Sequence, residues 1–243
     1  MFNRSGLWLN HFSVQGFMRR LTFFILGFLL AAVPVAQPEA HAQMAKGLFG
    51  SMELKSTNMV KFDKWTEMWR RYNLPRQASQ PAKGSAEARC RGLGRIQCSR
   101  EAWDAFIAEN GETPPRELLD KVNAYMNRAA YIVDPVNWGI PDYWATPDEF
   151  FLKDGDCEDY AISKYITLKR LGVDPASMRL VILQDENLNV AHAVLAVTLE
   201  GETFILDNQI DAVLPDTQIL HYRPVYSINE SAWWLHRVRK FSG

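Results

Sequence analysis

The chain has 243 residues, of which 47% are hydrophobic and 23% charged, and its formal net charge is −1. That composition describes an ordinary globular protein with enough chain for one substantial core. A net charge so near zero gives no electrostatic reason to expect nucleic acid or an anionic membrane surface as a partner.

The first 42 residues carry the pattern of an export signal. Met18-Arg19-Arg20 supplies positive charge, LTFFILGFLLAAVPVA (21–36) is apolar, and Ala40-His41-Ala42 is a small-x-small cleavage site. The apolar run is short for a spanning helix, which needs roughly 20 residues, and Pro34 interrupts it. A retained membrane anchor is the alternative. Residues 1–17 form an unusual extension, with Met18 as a second candidate start. The expected mature domain is 43–243. Export bears on the three cysteines, Cys90, Cys98 and Cys157. An oxidising compartment favours disulfides, and an odd count leaves one thiol over. Cys90 and Cys98 bracket RGLGRIQ, and a disulfide between them would leave Cys157 free. The alternative, metal ligation by this pair, lacks the tight Cys-x-x-Cys spacing and nearby histidines.

Along the mature chain, residues 43–60 read as a mobile start and 61–72 as a short helix. Residues 75–98, rich in Pro, Gly, Ala and Ser, read as a long loop. A helix is predicted after Ser99, a good N-cap, with Trp103, Phe106 and Ile107 on one face. Thr113-Pro114 predicts another start, an N-cap hydroxyl followed by proline at the first helical position. Leu118, Val122, Tyr125 or Met126, and Ala129 then recur at helical spacing. DPVNWGIPDYWATPDEFF (134–151) reads as a long ordered loop, of the kind that often carries function. DGDCEDY (154–160) opens a helix, with Asp156 as its cap, Ala161, Tyr165 and Leu168 on its apolar face, and Gly172 at its end. The last third switches to strands: RLVILQ (179–184), AHAVLAVTL (191–199) and ETFILDNQ (202–209). Glu200-Gly201 between the last two is a hairpin signal. The tail SAWWLHRVRKF reads as a core-packed end.

Cys157 stands among Asp154, Asp156, Glu158 and Asp159, and nearby negative charge raises a thiol's pKa. The helix N-terminus works the other way and favours a thiolate. The hairpin register supplies a partner. With Glu200 and Gly201 at the turn, Leu199 faces Glu202 and His192 faces Gln209. Asp207 then shares a face with His192, and such diagonal neighbours are about 7–8 Å apart. Singly, a strand histidine or a lone cysteine is more often a packing residue. Jointly, Cys157, His192 and Asp207 supply a thiol, a base to take its proton and an acid to orient that base. The clustered carboxylates suit calcium, which takes several oxygen ligands; the alternative is that they decorate a helix N-terminus.

GDCEDYAISKYITLKRLG, followed by AHAVL and ILDNQ, resembles the bacterial transglutaminase-like cysteine proteases of the LapG type, and DYWATPDEF also fits. The resemblance covers residues from about 115 to 225, more weakly from 60. It implies an α+β fold with a papain-like, transglutaminase-like core, in which a Cys-bearing helix packs on an antiparallel sheet. Cys157 is then the nucleophile, His192 the base and Asp207 the orienting acid. Asp156, Glu158 and Asp159 match the family's acidic residues and become the expected Ca²⁺ ligands, a dication cancelling the charge that suppresses the thiolate. The backbone N–H of Cys157 is the natural oxyanion donor. Trp144 is a candidate second donor or channel wall, against an ordinary buried tryptophan. The resemblance further implies a periplasmic, calcium-dependent endopeptidase. Its substrate is a large surface adhesin, cut near the N-terminus to release cells from biofilm, and its regulator is a sequestering inner-membrane cyclic-di-GMP receptor. Two other readings use the same residues: an acyltransferase or amidase, and a non-catalytic calcium-dependent binding module.

Overall fold

The computed structural model describes residues 45–74 and 100–237. The signal-like segment, the loop expected over 75–98, Ser99 and the Cys90/Cys98 pair lie outside the described residues. Eight strands form one antiparallel sheet: β1 (Ala45–Lys46), β2 (Met52–Ser56), β3 (Met178–Asp185), β4 (Val190–Leu199), β5 (Glu202–Leu206), β6 (Leu214–Pro215), β7 (Tyr222–Ile228) and β8 (Trp233–Arg237). Their order across the sheet is β1-β2-β8-β7-β3-β4-β5-β6. The helices are α1 (Asp63–Tyr72), α2 (Arg100–Glu109), α3 (Pro115–Met126), α4 (Asp134–Asn137), α5 (Pro147–Lys153) and α6 (Cys157–Arg170). This is the α+β arrangement, a Cys-bearing helix on an antiparallel sheet, that the motifs implied.

The hairpin forms in the expected register, with Leu199 opposite Glu202 and Leu195 opposite Leu206. Glu200 and Gly201 both have positive φ, 51° and 87°, the geometry of a two-residue turn whose twist matches its strands. β5 stops at Leu206, short of the expected 209. β4 is buried on both faces from His192 to Val197, because the sheet has a core on each side. On one side Leu180, Leu195, Val197, Leu206 and Ile228 meet the helices. On the other, Val181, Val194, Ala196 and Ile205 pack with Leu48, Ile219 and Tyr222.

α6 is more enclosed than its expected single apolar face. Every residue from Glu158 to Leu168 is buried, because α3, α5 and the sheet surround it. One of its polar residues is bonded internally: Trp103 of α2 donates its indole N–H to the Thr167 hydroxyl at 2.9 Å, which itself donates to the Ser163 carbonyl at 2.7 Å. Gly172, just past the helix, has φ +90°, the left-handed conformation that lets the chain turn away.

Three expectations need correction. Within the stretch 43–60, expected as a mobile start, the described residues 45–60 contribute β1 and β2. Glu53 of β2 is buried, and Arg179 meets its carboxylate at 3.0 Å. α3 begins one residue later than expected, with Pro115 as the first residue and Pro114 in the cap position. The Thr113 hydroxyl turns instead to Asn110 Oδ1 at 3.3 Å. The segment 134–151 is not wholly loop, since it contains α4 and starts α5. The Thr146 hydroxyl accepts from the Glu149 N–H, and the Glu149 carboxylate accepts from the Thr146 N–H, the reciprocal cap that starts α5. The described part of the tail is core-packed as expected and forms a strand: β8 lies between β2 and β7.

Candidate active site

Cys157 is the first residue of α6 and only partly buried. Asp156 holds the N-cap position with extended φ/ψ, as expected, and its N–H donates to Asp159 Oδ2 at 3.4 Å. The turn before it is built for this close approach. A Cβ on Gly155 would lie 2.3 Å from Asp159 Oδ2, so only glycine leaves room for that carboxylate. Asp154 adopts φ 64°, uncommon for a residue with a side chain. It is held by Asn137, whose amide donates to its carbonyl at 3.1 Å, and by the Ala130 N–H, which donates to its carboxylate at 3.1 Å.

His192 on β4 and Asp207, just past β5, meet at 2.9 Å between Nε2 and Oδ1, with side chains only 1% exposed. Gln209 completes the group from both ends. Its backbone N–H donates to Asp207 Oδ1 at 2.8 Å, and its side-chain amide donates to His192 Nδ1 at 3.3 Å. Because that amide nitrogen can only donate, Nδ1 is the acceptor and the ring proton sits on Nε2, facing Asp207. The Tyr222 hydroxyl donates to Asp207 Oδ2 at 2.6 Å. Burial works to raise the pKa of Asp207, but the His192, Gln209 and Tyr222 contacts outweigh it and hold Asp207 below its usual range. The proximity of His192, Asp207 and Gln209 expected from the hairpin is thus present, although only Asp207 and Gln209 beyond the strand's end provide it. The backbone amide of Ala193, next to His192 on β4, acts in the thiolate's favour. The thiol itself bonds Glu158 Oε2 at 3.2 Å. Burial pushes the thiol's pKa up, and Glu158 and Asp156 add to that.

The acids around Cys157 form a larger set than the motif contains. Ligand oxygens of Asp134, Asp156 and Asp159 lie within 4.8 Å of one another, and so do those of Asp134, Asp142 and Glu158. All three motif acids, Asp156, Glu158 and Asp159, are therefore in the cluster. Asp134 and Asp142 are the members that sequence reasoning missed. Asp134 is buried and begins α4, where one of its oxygens accepts the Tyr143 N–H. Its Oδ1, like Asp156 Oδ1, is buried without a hydrogen-bond partner among the described residues. Burial raises Asp134 to about 6. Burial, with Asp156 next, raises Glu158 to about 8, and burial with Glu158 raises Asp159 well above the carboxylate range. Together the acids are more negative than their enclosure favours. Trp144 is 6% exposed and packs edge-on against Trp65, so its indole serves the core. The residue after it does touch the site: the Ala145 N–H donates to Asp159 Oδ1 at 2.7 Å.

The sequence profile of the bacterial transglutaminase-like cysteine proteinases, BTLCP, matches residues 95–236. The chain belongs to this family. Among solved structures, Legionella pneumophila LapG is 38% identical, covering 55% of this chain and 76% of that one, with a TM-score of 0.51. Its calcium-bound structure is 38% identical over 58% of this chain and 80% of that one, at 0.52. The EGTA-treated form matches at 37% identity, covering 58% and 77%, also at 0.52. No curated protein matches the chain. The matched span of this transglutaminase-like proteinase begins before α2 and ends within β8, so it includes the Cys157 turn, the His192–Asp207 pair and all five clustered acids.

Proposed function

We propose that this proteinase is a calcium-dependent periplasmic cysteine endopeptidase with Cys157 as nucleophile, His192 as base and Asp207 as orienting acid. Its substrate is the N-terminal region of a large cell-surface adhesin, whose cutting frees cells from biofilm. An inner-membrane cyclic-di-GMP receptor sequesters the enzyme. The observation that carries the reading is the buried His192–Asp207 pair, together with a cysteine at a helix N-terminus, in a chain of a cysteine proteinase family. The export pattern of residues 1–42 supports the compartment.

The chemistry follows from the atoms. In the resting arrangement the thiol faces Glu158 and His192 Nδ1 is met by the exposed Gln209 amide. Engagement turns the thiol to Nδ1 in place of that amide. The proton passes from sulfur to Nδ1, and Asp207 stabilises the resulting imidazolium through Nε2–H. The thiolate attacks the scissile carbonyl carbon, and the Cys157 N–H, unpaired at the start of a helix, faces the developing oxyanion. The imidazolium gives its proton to the leaving amine. Water, deprotonated by His192, then attacks the thioester carbonyl; the C–S bond breaks, the acyl group leaves as a carboxylic acid, and the imidazolium returns its proton to the Cys157 sulfur.

The acid cluster fits calcium. It offers several carboxylates, with two buried oxygens that make no hydrogen bond among the described residues. Asp134, Asp156 and Asp159, with Asp142 and Glu158 adjoining, are the residues that would hold it. When bound, calcium supplies the positive charge that favours a thiolate among these acids.

The test is incubation of the mature protein with the N-terminal segment of a large adhesin from the same genome. Cleavage is expected with calcium and is expected to be lost with EGTA and in Cys157→Ala. Cleavage by Cys157→Ala removes the nucleophile assignment, and cleavage undiminished in EGTA removes the calcium requirement. Incorporation of an added amine without hydrolysis replaces the endopeptidase with an acyltransferase.

A further inference from the structure

Lys164 lies on α6 two turns after Cys157, with 0% of its surface exposed. Its Nζ has no hydrogen-bond partner among the described residues. An ammonium without such a partner is an expensive group to enclose, and leucine or methionine would fill the position at no such cost. A buried polar atom of this kind calls for an explanation.

Its surroundings supply one. The ring of Tyr160, one turn earlier, lies 5.7 Å from Nζ. The charged groups that act on Lys164 are Asp207 and Asp211. The stretch containing both is anchored by α3 and its C-cap: the cap residue Asn127 donates its amide to the Asp207 carbonyl at 2.8 Å, and Asn123 donates its amide to the Asp211 carbonyl at 2.9 Å. The Asp207 carboxylate already accepts from His192, Gln209 and Tyr222. Lys164 makes none of these bonds, so what it offers the site is its charge.

We propose that Lys164 is a positioning residue of this site, an enclosed cation near Asp207 that tempers the pull of that carboxylate on the His192 proton. The proposal rests on the reading of Asp207 as the orienting acid. An unopposed buried carboxylate would hold the imidazolium too tightly for it to give up its proton near neutral pH. A base works best when its pKa lies near the working pH. Burial lowers Lys164 to about 7, while Asp207 and Asp211 act to raise it. Lys164 and Asp207 are therefore electrostatically linked, with Tyr160 and Tyr222 as the ionisable neighbours of the pair.

The experiment is side-chain NMR on the whole purified protein with labelled lysine and histidine. Lys164 is assigned by Lys164→Met and His192 by His192→Gln. Lys164 is expected to titrate near neutrality in the parent and about one pH unit lower in Asp207→Asn. Conversely, His192 is expected to titrate about one unit higher in Lys164→Met, a tenfold gain in proton affinity. Thermal unfolding of Lys164→Met is expected at or above the parent's temperature, since an enclosed charge has been replaced by an apolar chain of similar length. A Lys164 midpoint that is the same in parent and Asp207→Asn overturns the proposal. An unmoved His192 midpoint in folded Lys164→Met overturns it too. If Lys164→Met fails to fold, the comparison of parent with Asp207→Asn decides alone. These titrations do not require cleavage, so failure of the endopeptidase reading is seen separately in the Cys157→Ala assay.

Discussion

Gly155 matters because it lacks a side chain. With a Cβ there, the nearest atoms of Asp159 would lie at 2.3 Å and 2.7 Å, and both belong to a residue fixed by the Asp156 and Ala145 N–H groups. Gly155→Ala is therefore expected to push Asp159 out of the acid cluster. Calorimetry should then show calcium binding at least about tenfold weaker, with a stability loss in urea of roughly 1–3 kcal/mol from overpacking. Asp134→Asn tests the cluster from its other side. Asp134 is shared by both carboxylate groups, so its loss is expected to weaken calcium more than that of Glu158, which belongs to one. Much of this site was legible in sequence. GDCED places the cysteine and three acids in one turn, and the turn type of the hairpin brings His192 toward Asp207. Asp134 and Asp142 were not legible because their approach depends on the path of a proline-rich segment far from the cysteine in sequence. The only local sign was two aspartates flanked by prolines. Gln209 was aligned opposite His192 but had no assigned role, since its contact with Nδ1 arises only after the chain leaves β5.

At the scale of elements, α5 shows how a short signal is hidden by its neighbours. Its seven residues are too few for an apolar repeat, and the prolines and tryptophans around them read as loop. The Thr146–Glu149 reciprocal cap starts the helix, and α5 leads directly into the strained Asp154 turn and α6. Thr146→Ala is expected to cost about 1 kcal/mol in urea unfolding. α3 and the β4–β5 hairpin were readable because each has a repeated pattern together with a defined end. β2 was not, because it contains a buried glutamate, Glu53, whose partner, Arg179, is on β3. A charged residue made acceptable by a distant partner carries no local sign of its burial.

Across the molecule, β2, β7 and β8 are joined by one buried imidazole. His236 on β8 bonds the Ser51 hydroxyl through Nδ1 at 2.8 Å and the Ser227 hydroxyl through Nε2 at 2.9 Å. Glu53 Oε1 lies 3.5 Å from Nδ1. Burial lowers His236 to about 4, with Glu53 opposing the shift and Arg179 adding to it. An unfolded histidine titrates near 6.5, so between about 6.5 and 4 the unfolded chain binds this proton and the folded one does not. Stability from this group is thus fully present above about 6.5, falls as the pH drops toward 4, and changes no further once both states are protonated. The full loss is about 3 kcal/mol. The acid cluster has the opposite sign without calcium: carboxylates raised in the folded state, such as Glu158 at about 8, favour folding as the pH falls. The overall profile therefore mixes two effects, and a difference measurement separates them. Urea unfolding of the parent and of His236→Asn, both in EGTA, should show a stability gap that narrows steadily as the pH falls from 7 to 4. A gap of constant size would mean that His236 titrates alike in both states, and that its two serine contacts do not depend on a neutral ring.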